Sequence, residues 1–346
     1  MGNSKHSLNT YKIKQDKSTS IYYYNIIGKK EKQELAGQDN TSIIELENFS
    51  YIGIYDGHGE KGKEASIYLK NHLERYIKKN YKIIQNISVN NPLNNNFINY
   101  INKENIKEDS NTNYLNQNKL KKLFTNEYKC IQNYFKKYKY DYKLSGTCSL
   151  CAIYNHINSV LYCINLGDSR CVLGSIKNNK KIAFELSSDH KPNRENESRR
   201  ISNLNGKVAS KGGGVSRVYK INSDEPGLAV SRSLGDLLGH DCGVVYEPEV
   251  IAKEINVDDY FVVIASDGVW DIMSSNEVIG FIFNKMFENK DSNKDTIVKS
   301  LVEECRLRWE LLNLYKEKYI NENIQIKIDL ETKNEIDDIS AIILFF

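Results

Sequence analysis

Aspartates beside short apolar runs are the residues of this sequence best suited to chemistry. Asp56-Gly57-His58-Gly59 follows the run Tyr51 to Tyr55, and Ser266-Asp267-Gly268-Val269-Trp270-Asp271 follows Phe261 to Ala265. Asp337-Asp338-Ile339-Ser340 leads into a third run, and Asn165-Leu166-Gly167-Asp168-Ser169-Arg170 joins two more. A carboxylate beside an apolar core is costly unless something cationic compensates it. Carboxylate and carbonyl oxygens suit hard divalent cations, and a glycine after the aspartate frees its own carbonyl to bind as well. His58 adds an imidazole able to transfer protons near neutral pH. Aspartate turns at four strand ends predict one shared edge where cations are held.

The elements that must position these turns are legible as alternating signals. Tyr51 to Tyr55, Thr147 to Tyr154, Ser159 to Leu166, Arg170 to Ile176, Tyr260 to Ala265 and Ser340 to Phe346 are apolar runs bounded by Gly, Asp, Asn and Ser, and they predict strands. Ala65, Leu69, Leu73 and Ile77 keep helical spacing between Lys63 and Lys79, as do Leu120, Phe124, Ile131 and Phe135 further on. Ser274 with Glu277 makes a capping box for a third helix through Phe287, and Ile297, Leu301, Cys305 and Trp309 mark a fourth. Clustered strands and paired helices give an α+β order. Residues 1–20 are polar and aperiodic and predict a flexible arm; Ile83 to Asn118, rich in Asn, Lys and Ser, predicts a low-complexity insertion within one domain spanning 21–346.

Composition narrows the function classes. The 48 basic and 45 acidic side chains leave a net charge of +3, which argues against a general nucleic-acid binder. No apolar run approaches a membrane span and no secretory signal core opens the chain, so an intracellular protein is expected. Seven cysteines, an odd number, fit a reducing compartment; Cys148 and Cys151 lie in an apolar run without a second pair at zinc-site spacing and read as buried strand thiols. Met1-Gly2-Asn3-Ser4-Lys5-His6-Ser7 approaches the myristoylation pattern, with His6 where Ser or Thr is usual. An acyl chain on Gly2 would give only weak membrane association. His190 and Lys191 read as fixing the turn before Pro192, Gly212-Gly213-Gly214 as a flexible turn, and Arg199, Arg200 and Arg217 as solvated.

Taken together, the aspartate turns with Gly37-Gln38-Asp39, Ser145-Gly146-Thr147, Asp189-His190-Lys191-Pro192 and Leu228 to Asp236 resemble the type 2C metal-dependent protein phosphatases in the same order along nearly the whole chain. The resemblance implies a sandwich of two antiparallel β-sheets flanked by helices on both sides, with the metal site at one end. It further implies that Asp56 bridges two Mg2+ or Mn2+ ions, that the Gly57 carbonyl binds one of them, and that Asp267 and Asp337 bind the other. Asp39 would support the bound waters, and Asp168 and Asp271, with Asp267, would form the pocket of a weaker third cation. Two such ions lower the pKa of a bridging water, whose hydroxide attacks a phosphoserine or phosphothreonine phosphorus in line while His58 protonates the leaving alkoxide. The implied partners are phosphoprotein substrates.

The chain departs from the family pattern at Glu34, five residues before Asp39, where many members carry an arginine or lysine for the substrate phosphate. Lys32 is the candidate substitute. Asp338 replaces a frequent asparagine, a change to which the sequence assigns no consequence. A catalytically silent phosphoprotein-binding member of the same fold is the main rival reading, opposed by the intact Asp56, Asp267 and Asp337. A phosphatase of a small phosphoester is the second.

Overall fold

The computed structural model describes residues 19–28, 37–88, 112–138, 141–210, 214–288, 293–321 and 336–346. Two five-stranded sheets form its centre. One has the order β1 (Ser20–Ile26), β16 (Ile339–Phe345), β15 (Asp259–Ala265), β8 (Arg170–Lys177) and β9 (Lys180–Glu185). The other runs β14 (Glu249–Glu254), β7 (Val160–Leu166), β6 (Ser149–Asn155), β3 (Phe49–Tyr55) and β2 (Asn40–Leu46). All neighbours are antiparallel.

Side-chain alternation explains the stacking. On β3, Ile52 and Ile54 enter the core between the sheets with Leu150, Leu161, Leu173, Ile264 and Ile342. Phe49, Tyr51 and Tyr55 point the other way, onto α1 (Gly62–Ser88) and α2 (Thr112–Lys137), where they meet Leu69, Leu73, Phe124 and Ile131. The first sheet does the same with α6 (Ser275–Glu288) and α7 (Lys294–Asn321): Val263, Ala341 and Ile343 pack on Ile279, Phe283, Leu301 and Val302. Strands buried on both faces read as continuous apolar runs, and the layers are helix, sheet, sheet, helix.

Shorter elements crowd one end. β4 (Gly57–His58), β5 (Gly146–Thr147) and β13 (Leu234–Gly235) make a small sheet with β5 in the middle. Beside it lie α3 (Glu195–Asn203), β10 (Gly206–Ala209), β11 (Arg217–Lys220), β12 (Pro226–Leu228) and α4 (Leu237–His240), around a minor core of Ile201, Val218, Cys242 and Val244. No helix among the described residues is long and apolar enough to cross a membrane.

The structure corrects four expectations. The polar arm ends before residue 20, because Ser20 already pairs with Phe345 in β1 and both Thr19 and Ser20 are buried. The stretch 83–118 is helical at both ends: Ile84 and Ile87 continue the buried stripe of α1, and α2 begins at Thr112. Arg200 is not solvated, since it bonds Glu197 at 2.7 Å and the carbonyls of Gly243 and Ser231 at 2.8 Å. Arg217 donates to the Gly227 carbonyl at 2.8 Å rather than pointing into water. Gly2, Lys32, Glu34, Gly212 and Gly213 lie outside the described residues.

The capping box is present as the sequence predicts. The Ser274 N–H donates to Glu277 Oε2 at 2.9 Å and the Glu277 N–H returns to Ser274 Oγ at 3.3 Å. Losing such a cap costs about 1 kcal/mol, so Ser274→Ala lowers the thermal midpoint by roughly 1–2 °C in a chain of this size. Scanning calorimetry checks this; an unchanged midpoint would mean that Arg308, 2.9 Å from Glu277 Oε1, holds the helix entrance by itself.

Candidate metal centre

Pairing register brings the aspartate turns together. Ala265, the last residue of β15, stands between Ala341 of β16 and Arg170 of β8, so the exit of one strand and the entrances of two others share an end of the sheet. Asp267 opens α5 (Asp267–Trp270) directly after that exit, Asp337 and Asp338 precede β16, and Asp168 lies in the turn before β8. Asp56 arrives from the end of β3 in the second sheet, and its carbonyl accepts the Cys148 N–H at 2.8 Å. Two glycines permit the closeness. A Cβ on Gly57 would lie 2.2 Å from the Gly62 carbonyl oxygen, and one on Gly268 would lie 2.1 Å from that of Asp338. Any side chain there would force these turns apart.

Carboxylate oxygens of Asp56, Asp168 and Asp267 all lie within 4.8 Å of one another. Burial pushes the Asp56 carboxyl well above the usual range, and repulsion from Asp267, Asp39, Asp337 and Asp168 adds to it. Asp267 is raised in the same way, by burial and then by Asp337, Asp168 and Asp271. Asp271, one turn along, is raised to about 6, chiefly by burial. Asp168 goes the other way: burial raises it, but the Lys191 ammonium, 2.5 Å from Oδ2, more than offsets that.

Asp39 is also raised, by burial and by Asp338, and its Oδ2 is buried with no hydrogen-bond partner among the described residues. An orphaned carboxylate oxygen behind a cluster of mutually repelling carboxylates is one that nearby positive charge would satisfy. The all-oxygen donor set therefore fits hard divalent cations.

A cavity of about 280 Å³ opens over this cluster, lined by Asp56, Gly57, His58, Asp168, Asp267 and Asp337 among others. His58 donates from Nε2 to Asp236 Oδ2 at 2.6 Å, since an ionised carboxylate can only accept. Asp236 is buried and takes a second hydrogen bond from Ser233 Oγ at 2.5 Å.

Of the residues expected from the sequence, the structure thus brings Asp56, Gly57, His58, Asp168, Asp267 and Asp337 to one cavity. Asp39 and Asp271 adjoin the cluster without lining that cavity. Sequence reasoning missed five contributors. Asp338 accepts from the N–H groups of Gly28 at 2.7 Å, Gln38 at 2.5 Å and Asp39 at 3.2 Å, and so ties the Asp39 segment to the entrance of β16. Lys191 clamps Asp168 rather than the turn before Pro192, and His190 accepts the Gly167 N–H at 3.0 Å on the same turn. Asp236, the end of the Leu228 to Asp236 signature, orients His58, and Arg217 lines the cavity. The signature was the only sequence signal for Asp236; the partners of the other four are distant in the chain.

A folded-state pKa above the unfolded one means that ionised Asp267 opposes folding. The penalty begins as pH rises through the ordinary carboxylate range and grows up to the raised value. In chelator at pH 8, Asp267→Asn therefore melts a few degrees above the wild type, about what 1–2 kcal/mol gives in a chain of this size, and the gap narrows at pH 5. Manganese should raise the wild-type midpoint more than the variant's. A variant that melts lower in chelator would contradict the electrostatic reading.

A family model described as protein phosphatase 2C matches residues 28–309. Among curated relatives, probable protein phosphatase 2C 34 of Arabidopsis thaliana is 34% identical over 205 residues, covering 58% of this chain and 50% of that protein. Probable protein phosphatase 2C 73 of the same organism is 30% identical over 269 residues, covering 76% and 67%. The chain spans half to about two thirds of the length of these relatives. A crystal structure of a serine-threonine phosphatase 2C from Toxoplasma gondii superposes with a TM-score of 0.70 over 99% of each chain, at 16% identity, which establishes the shared fold. With most of its length matched by the family model and the aspartate turns gathered at one end of the sandwich, this chain belongs to the protein phosphatase 2C family.

Proposed function

We propose that the chain hydrolyses phosphoserine and phosphothreonine esters of proteins at a centre of two magnesium or manganese ions. The observation that carries this reading is the meeting of Asp56, Asp168 and Asp267 within 4.8 Å, where burial and mutual repulsion raise Asp56 and Asp267 and bound cations would offset the charge. Asp56 with the Gly57 carbonyl, and Asp267 with Asp337, would hold the two ions, with Asp39 supporting their waters. Asp168 and Asp271 would take a third; Lys191 already on Asp168 makes that position the weaker one. Cations held there supply the Lewis acidity that activates water near neutral pH and offsets phosphoryl charge.

The chain's own residues do the rest. The gap between the Asp turns and His58 admits the phosphate and its leaving oxygen. Asp236 fixes the His58 ring and stabilises its imidazolium through a charge-assisted bond, so the proton delivered to the leaving alkoxide is the one on Nδ1. The nearest thiol, Cys148, is pushed well up by burial and by Asp168, which keeps it protonated and unsuited to act as a nucleophile.

Purified protein should release phosphate from a phosphothreonine peptide with millimolar manganese and stop when chelator is added. Asp56→Ala should lower turnover by at least roughly 10²-fold, about 2.7 kcal/mol of barrier. Turnover that persists without metal would refute the proposal. An acid matters only where the leaving oxygen needs a proton, so His58→Gln should lose ~10²-fold or more on the peptide and far less on para-nitrophenyl phosphate. Asp236→Asn should reproduce that selectivity; equal losses on both substrates would give His58 a merely structural role.

A further inference from the structure

The cavity over the aspartates has an unbalanced lining. Asp56, Asp168, Asp236, Asp267 and Asp337 all face it, whereas among the described residues one lysine or arginine does, Arg217 of β11. Its wall also includes the consecutive residues Pro226, Gly227, Leu228, Ala229 and Val230. Arg217 is tied to that wall by its Nη1 donor, 2.8 Å from the Gly227 carbonyl oxygen, which is the one hydrogen bond its guanidinium makes among the described residues. A guanidinium has five N–H donors, so the tether fixes the head while leaving most donors for a ligand. Its backbone is fixed as well, by the pairing of Arg217 with Ala209 across β10 and β11 and by burial of the next residue, Val218, in the minor core.

A half-buried arginine held rigid at the rim of an acidic cavity is suited to a doubly charged oxyanion, which its planar fork can meet with two donors at once. Lys191, another cation among the described residues nearby, is already committed to Asp168 and does not line the cavity. We infer that Arg217 binds the substrate's phosphoryl oxygens, the role that the sequence, with Glu34 in the customary place of a cation, assigned to Lys32. The inference rests on the hydrolase reading, and it explains why the β10–β12 sheet stands beside the site: that sheet carries the cation that centres the phosphate over the aspartates. Because the contact is to phosphate and not to the polypeptide, it acts on every phosphate monoester the site accepts.

The test combines binding and kinetics on the whole chain. Inorganic phosphate is titrated calorimetrically into manganese-loaded wild type, Arg217→Met and Arg217→Lys, with the thermal midpoint of each variant measured to verify folding. Arg217→Met should weaken phosphate binding about 10-fold or more, raise KM by a similar factor on both a phosphothreonine peptide and para-nitrophenyl phosphate, and change kcat less than about threefold. Arg217→Lys should recover part of the loss, and the manganese concentration for half-activation should not move. Wild-type phosphate affinity in Arg217→Met would overturn the inference and return the role to Lys32. A KM increase confined to the peptide would also overturn it, since the arginine would then be reading the polypeptide. A wild type that hydrolyses neither substrate would defeat the hydrolase reading separately, and the phosphate titration would still decide whether Arg217 binds the anion.

Discussion

Three carboxylates within 4.8 Å of one another, one buried and two half-buried at the end of a β-sandwich, repel strongly, and the surrounding structure is arranged to hold them there. Left alone they would protonate or separate, as the raised Asp56 and Asp267 carboxyls indicate. They cannot separate, because each is anchored to a strand whose both faces are packed: Asp56 to β3, Asp267 to β15 and Asp168 to the β7–β8 turn. The fold thus stores an electrostatic penalty at one edge, one that bound divalent cations would relieve.

Charged crosslinks keep the edge in shape. Asp338 gathers three N–H groups from the Gly28 and Gln38–Asp39 segments onto the entrance of β16. Arg170 grips Asp189 with two donors at 2.9 and 2.7 Å, reaches Ser275 Oγ at 3.0 Å and lies over the Trp270 ring, so the Asp168 turn, the Lys191 segment and α5 are joined through one guanidinium. A buried cluster of Glu197 with Arg200, Arg232 and Ser231 braces the signature segment that ends in Asp236. Breaking one partner of such a network leaves a buried charge uncompensated, which is why these contacts fix geometry more than they add stability.

What was legible in the sequence follows from which faces of a strand are buried. The six runs read as strands overlap β3, β6, β7, β8, β15 and β16, the interior strands of the two sheets. The four strands missed from these sheets, β1, β2, β9 and β14, are their four edges. Edge strands such as Lys180–Glu185, exposed or half-exposed throughout, mix lysines and glutamates with apolar residues and give no continuous run. Asp56, Asp168, Asp267 and Asp337 were legible for the same reason, since each lies beside an interior strand. Asp338, Lys191 and Arg217 were not: their roles depend on partners 299 to 310, 23 and 10 residues away, which no local pattern encodes. Arg200 looked solvated because its helix is polar in composition, although its inner face meets Glu197 and the Ser231 carbonyl.

The central claim is that the buried carboxylates await divalent cations, and calorimetric titration of manganese in two buffers of different ionisation enthalpy tests it most directly. Carboxylates raised by burial and mutual repulsion must give up protons when cations arrive, so the wild type should bind two ions per chain and release protons, more of them at pH 6 than at pH 8. Asp56→Ala should lose both the binding and the release. Binding without any proton release, or no binding at millimolar manganese, would contradict the account.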